Sequence, residues 1–365
     1  MKFSLCMIVK NEAAVLQSCL DSLKDIMDEI IIVDTGSSDA TKKIAHTYTP
    51  YVYDFEWQDD FSAARNFAFS KATGDYIYSA DADEMLDEAN REKLKTLKRA
   101  LIPEVEIVQM IYVTEQENHP TENFARDRRP KLFKRLREFT WIEPIHEIVN
   151  TAPAVYDSDI EVIHRPQGSH SGRDFRIFEK VINEKGALSD RLLGMYLREL
   201  YKAGTCSDLE NARVFLENVL DDRSRKGNMV LCRQIIAVLL KAYRQAGDAA
   251  NMLKASLRQE ATTPSAEICM ELGSFFMEKE DFEEAALWFG RAAFDCESEI
   301  DVASSGAPAL EALALSCRRL AGQLELNAFS KKEYEVQCAQ LLEKANKYEL
   351  MAREWKPAVP VLDVQ

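Results

Sequence analysis

Residues 76–84 read Tyr76-Ile77-Tyr78-Ser79-Ala80-Asp81-Ala82-Asp83-Glu84. Apolar and aromatic residues run straight into two carboxylates spaced i, i+2. On an extended backbone that spacing sends both side chains to one face. A buried strand ending in convergent carboxylates suits a hard divalent cation, which takes oxygen ligands and often shares them with a diphosphate. Asp-Ala-Asp alone is equally well an acidic turn, so its neighbours must decide.

Working outward, residues 3–9 form a near-continuous apolar run, the mark of a strand buried on both faces. Residues 11–23 show helical spacing, with Val15, Leu16, Cys19, Leu20 and Leu23 on one side. Glu29-Ile30-Ile31-Ile32-Val33-Asp34 is a second buried strand ending in a carboxylate, and Thr35-Gly36-Ser37-Ser38-Asp39 turns into a helix that Ser38 or Asp39 can cap. A third strand is expected over 51–57, a helix over 60–72 and a fourth strand over 75–80. Strand alternating with helix predicts a parallel sheet covered on both faces, with ligands beyond the carboxyl ends of the strands. Those ends carry Lys10-Asn11-Glu12, Asp34 and Asp81-Ala82-Asp83. No G-x-G-x-x-G follows the first strand and no G-x-x-x-x-G-K-[ST] occurs, so a glycine-rich phosphate cradle is excluded. Metal and side-chain cations would have to neutralise any phosphate.

With 365 residues, two domains are the natural expectation. A net charge of -15 argues against nucleic acid as a partner and against electrostatic docking on an anionic membrane. The 8 cysteines show no metal-binding spacing and read as reduced core residues. No apolar run has the length of a membrane span, and the expectation is a soluble cytoplasmic protein.

The ordered set Ser4 to Glu12, Val33 to Asp39, Asp60 to Asn66 and Asp81 to Glu84 resembles the successive motifs of family 2 glycosyltransferases with the GT-A fold. The resemblance covers about the first half of the chain. It implies an α/β GT-A domain, Rossmann-like with a mostly parallel sheet, a nucleotide-sugar donor (a UDP-sugar by preference), and Mn2+ or Mg2+ as cofactor. Carried over by position, Lys10, Asn11, Glu12 and Asp34 would hold the nucleotide. Arg65 would approach the diphosphate or donor sugar with Asn66 in support. Asp81 would bind ribose or sugar, and Asp83 would be the direct metal ligand with Asp81 beside it.

Residues 126–137 are dense in arginine and lysine, which read either as a solvated basic loop or as charge for a departing diphosphate. Arg129-Pro130-Lys131-Leu132-Phe133-Lys134-Arg135, leading to His146-Glu147, is similar to a pattern in a subset of these enzymes that carry helical repeats. That makes Arg129 a donor-binding candidate. An inverting transferase needs a base for the acceptor's proton, and His146 and Glu147 are the two candidates. Asp157-Ser158-Asp159 reads as a turn before a last strand at 160–164. His164 and His170 are read either as facing the donor site or as structural.

From about Phe175 onward the pattern is helical. Leu272, Gly273, Phe276, Ala285, Phe289 and Ala292 reproduce the small and aromatic positions of a tetratricopeptide repeat, with a weaker copy before it and a degenerate one at 211–216. The expected layout is a catalytic domain over 1–165, a linker or lid over 166–185, a tetratricopeptide-like domain over 186–356 and a tail over 357–365. The expected activity is inverting, metal-dependent sugar transfer to a protein or peptide. A lipid-linked or lipopolysaccharide acceptor is the alternative within the enzyme class, and a repeat scaffold with a vestigial site is the alternative outside it. A homodimer through the helical domain completes the expected partners.

Overall fold

A computed structural model describes residues 1–114, 126–149, 153–165, 171–222, 228–258, 263–327 and 331–357. His170, with residues 166–169 of the expected linker and most of the expected tail, lies outside the described residues. The chain divides into two compact units, Met1–Gly186 and a second that begins at Ala187.

In the first unit the strands are β1 (Phe3–Val9), β2 (Glu29–Asp34), β3 (Val52–Asp54), β4 (Tyr76–Ala80), β5 (Glu84–Met85), β6 (Ile107–Thr114), β7 (Arg126–Lys134) and β10 (Val155–His164). They form one sheet in the order β3-β2-β1-β4-β7-β6-β10-β5. Strands β1 to β4 pair in parallel, as does β10 with β6, whereas β7 and β5 run antiparallel to their neighbours. A separate ribbon pairs β8 (Trp141–Ile142) with β9 (Ile148–Val149). Side chains alternate between two cores. Leu5, Met7, Ile32, Tyr76 and Tyr78 enter one, with helix α1 (Leu16–Leu23) and helix α4 (Glu88–Ala100). Cys6, Ile31, Val33 and Ile77 enter the other, with helix α3 (Phe61–Lys71). Burial on both faces explains why these strands are apolar throughout.

Four local expectations are corrected. The basic run is not a loop: Arg126–Lys134 is strand β7, inserted between β4 and β6, with Leu132 and Phe133 wholly buried. Asp157-Ser158-Asp159 lies inside β10, at a register shift between Asp157 and Glu161, which lets one strand carry it without a turn. The first helix starts only at Leu16, after a turn that follows Asn11 with its left-handed φ of 59°. Helix α5 (Ser171–Lys185) occupies most of the expected linker and belongs to the first unit. Helix α2 (Thr41–Tyr48) has no side-chain cap on Ala40, but Asp39 accepts from the N–H of Thr41 at 2.9 Å and of Ala13 at 3.2 Å.

The second unit holds helices α6 (Asp190–Ala203), α7 (Cys206–Asp221), α8 (Met229–Ala246), α9 (Ala249–Ser256), α10 (Ala266–Glu278), α11 (Phe282–Phe294), α12 (Ala307–Asn327) and α13 (Lys331–Glu354). Gly247, at φ +71°, turns α8 into α9. The α10–α11 hairpin closes on Gly273, where a Cβ would stand 2.7 Å from the Phe289 ring. Glu267, fully buried, accepts the backbone N–H groups of Glu299, Ile300 and Asp301 at 2.9–3.1 Å and so fixes the loop after α11.

Candidate active site

The parallel registers Val9↔Asp34 and Met7↔Ala80 bring the carboxyl ends of β1, β2 and β4 to one edge. Thr114 and His164 end β6 and β10 at the same edge. Strand β7 runs the other way, so its first residues arrive there too, Arg126 opposite Val113 and Arg129 opposite Met110.

Asp34 is buried, with 1% of its surface exposed. Its Oδ1 accepts from the N–H groups of Gly36 at 3.0 Å and Ser37 at 2.9 Å. Gly36 reaches φ +100°, a conformation that suits glycine and tightens this turn. The second oxygen, Oδ2, is buried without a hydrogen-bond partner among the described residues. A buried acceptor left unmade is costly, and functional sites are where such groups persist.

Asn11 knits two strand ends together: its Oδ1 accepts from Ser38 N at 2.8 Å, and its N–H donates to Ser37 Oγ at 2.9 Å. Lys10 is exposed at the same edge. Glu12 is held through its backbone N–H, which donates to Thr41 Oγ1 at 2.7 Å. Burial, and then the charges of Asp83 and Asp81, push the Glu12 carboxyl up from its ordinary value.

Arg65, 13% exposed, lies between the carboxylates of Asp81 and Glu147. Its Nη2 donates to Asp81 Oδ1 at 2.9 Å, its Nη1 to Ser79 Oγ at 3.2 Å and its Nε to Glu147. Its guanidinium carbon lies 5.3 Å from the Trp141 ring centroid. Burial would raise the Asp81 carboxyl, but the Arg65 charge, followed by that of Lys131, outweighs it and holds Asp81 well below the usual carboxylate range. Asn66 spends its amide on the backbone of Trp141, accepting at 2.8 Å and donating at 2.9 Å. It thereby fixes the ribbon that delivers Glu147.

Glu147 is thus joined to Asp81 through Arg65. His146 occupies a left-handed backbone, φ 49°, and its ring lies 6.0 Å from that of Phe178 on α5. Arg129 places its guanidinium 3.8 Å from the Tyr112 ring centroid.

His164 comes together with Asp83: Nε2 lies 3.2 Å from Asp83 Oδ2, and Nδ1 lies 3.3 Å from Thr114 Oγ1. No local signal in the sequence links His164 to Asp83, 81 positions away. Among the described residues no three His, Cys, Asp or Glu side chains make a complete metal cage. The donor chemistry nonetheless fits a divalent cation. One carboxylate and one imidazole converge at Asp83 and His164, and the charges of Asp83 and Asp81 add to burial in raising the nearby Glu12 carboxyl. The carboxylate suits either Mn2+ or Mg2+, the imidazole nitrogen suits Mn2+ better than the harder Mg2+, and the remaining positions fall to a phosphate or water.

Residues 4–161 match the model of glycosyl transferase family 2. The N-terminal part of the chain is therefore a glycosyl transferase family 2 domain. Three relatives align with parts of the chain. A TPR repeat-containing protein of Synechococcus elongatus is 39% identical over 148 residues, 40% of this chain and 35% of the relative. The glycosyltransferase SunS of Bacillus subtilis is 36% identical over 116 residues, 31% of this chain and 27% of SunS. The lipopolysaccharide core biosynthesis glycosyltransferase LpsC of Rhizobium meliloti is 34% identical over 102 residues, 27% of this chain and 36% of LpsC. The chain thus spans about a third of the length of these curated relatives. None of its helices is long and apolar enough, among the described residues, to cross a membrane.

Proposed function

We propose that the first unit transfers a sugar from a nucleoside diphosphate sugar, a UDP-sugar by preference, to an acceptor nucleophile, with inversion and with Mn2+ or Mg2+. The observation that carries this reading is Asp34 Oδ2, a buried acceptor without a partner among the described residues, at the strand edge that also presents Asp81 and Asp83. A base or ribose donor group would supply its missing partner. Asp83 and His164 would hold the cation, which when bound lowers the cost of the negative charge developing on the leaving diphosphate. Arg65 keeps Asp81 ionised and aimed through a direct ion pair. Arg129 and Lys10 supply positive charge along the same edge. Glu147, which Arg65 holds beside Asp81 at the strand edge, takes the acceptor's proton.

The helical unit supports a protein or peptide acceptor, since stacked helix pairs offer an extended surface. The similarity to LpsC favours the second reading, a lipopolysaccharide acceptor. The deciding experiment is a panel of sugar nucleotides, with and without Mn2+ or Mg2+, scored by nucleoside diphosphate release. Turnover of a UDP-sugar only with metal supports the reading, and no release from any member of the panel rejects it.

A further inference from the structure

We infer that the buried pair Glu84–Lys131 is a positioning strut that fixes the Asp81-Ala82-Asp83 turn before any ligand arrives. The inference rests on the donor-binding role just proposed for that turn.

Lys131 Nζ donates to Glu84 Oε1, and the two side chains are only 8% and 2% exposed. The other oxygen of the same carboxylate, Oε2, accepts the backbone N–H of Asp81 at 3.2 Å. The carbonyl of Asp81 is also held, by the N–H of Glu84 at 3.2 Å and by the thiol of Cys19 at 3.4 Å. Both backbone polar groups of Asp81 are therefore anchored into the interior, one of them by a side chain that Lys131 holds in place. Glu84 is pinned in turn by the antiparallel pairing of β5 with β10, where it lies opposite His164. One residue thus ties the turn carrying Asp81 and Asp83 to the strand carrying His164.

The charges make the strut conditional on both partners. Glu84 and the nearby Glu12, Asp81 and Asp83 give four carboxylates, against which Arg65 is committed to Asp81 and Glu147. Lys131 is the cation placed on Glu84, its ammonium 5.2 Å from the Tyr112 ring centroid. A buried carboxylate that lost this partner would turn toward water and release the Asp81 N–H. An apolar pair of similar volume would fill the same space without holding that N–H, so packing and positioning can be separated.

The experiment compares the parent protein with the double variant Glu84→Leu/Lys131→Met. Three quantities are read: the thermal midpoint, amide hydrogen exchange of the 80–85 segment without metal, and affinity for UDP with Mn2+. The expected result is a thermal midpoint within a few degrees of the parent, exchange of the segment faster by tenfold or more, and UDP–Mn2+ affinity weaker by tenfold or more. Parental exchange and parental affinity in the folded double variant would overturn the inference. Should the double variant not fold, Glu84→Gln keeps the shape and breaks the ion pair. It should still speed exchange severalfold, and parental exchange in it would equally overturn the inference. Faster exchange in the variants of a parent that binds neither UDP nor Mn2+ would uphold the strut and reject the donor-binding reading instead.

Discussion

Asp83 Oδ2 and His164 Nε2 stand 3.2 Å apart, one on the turn after β4 and the other at the end of β10. Strand β10 is parallel to β6 and paired with β5, so the sheet delivers its last residue beside the acidic turn. Thr114 Oγ1 lies on the far ring nitrogen and orients the imidazole.

Asp83→Asn should abolish metal-stimulated release of nucleoside diphosphate, and His164→Ala should raise the metal concentration needed for half-maximal release by tenfold or more. Loss of an orienting or ligating group typically costs that much in metal affinity. Titrating Mn2+ against release rate checks both. Turnover of Asp83→Asn at the parental rate in saturating Mn2+ would remove Asp83 from the metal site.

Asp34→Ala should weaken UDP binding by roughly ten- to a hundredfold, about 1.5–3 kcal/mol for a hydrogen bond to a charged group. The step that breaks the sugar–phosphate bond should be nearly unchanged, because the lost contact is uniform between ground and transition states. Calorimetry and single-turnover rates separate the two, and unaltered affinity contradicts the assignment.

Glu147→Gln and His146→Ala should differ. The first removes the proposed base and weakens the Arg65 contact, so transfer should fall by about a hundredfold or more, within the range of general base catalysis. The second should leave transfer within a few-fold of the parent. Normal transfer by a folded Glu147→Gln protein places the base elsewhere.

The Arg65–Asp81 pair should also show in acid. Asp81 titrates well below its ordinary value, 3.8, burial being outweighed by Arg65 and Lys131. A carboxyl depressed in the folded state adds stability above its unfolded value, and that contribution fades as pH falls below it. The stability gap between the parent and Asp81→Asn should therefore be steady above about pH 5 and shrink toward pH 3. Denaturant unfolding across that range reads it, and a gap that widens on acidification would reverse the sign.

In the helical unit, Gly273→Ala sets two effects against each other. Alanine favours a helix interior by about 1 kcal/mol over glycine, whereas its Cβ would sit 2.7 Å from the Phe289 ring. Phe289 is only 3% exposed and cannot swing aside, so overpacking of roughly 1–3 kcal/mol should win. A lower thermal midpoint is expected, and a higher one would show that the hairpin can open there.

The sequence by itself determined what is local and periodic. Apolar runs buried on both faces marked β1, β2 and β4, and the carboxylates ending them marked the edge where Asp34, Asp81 and Asp83 lie. Gly273 and Phe289 marked a helix hairpin because a small residue opposite an aromatic one is a spacing rule. Tertiary structure decided everything that depends on pairing distant strands. The arginine-rich run became the antiparallel strand β7, and only that placement puts Lys131 on Glu84. Asn66, adjacent to Arg65 in sequence, turned to the backbone of Trp141, while Arg65 reached Glu147 82 positions away. His164 carried no local mark of its partner, since the order of strands in a sheet, rather than residue spacing, sets which strand ends meet.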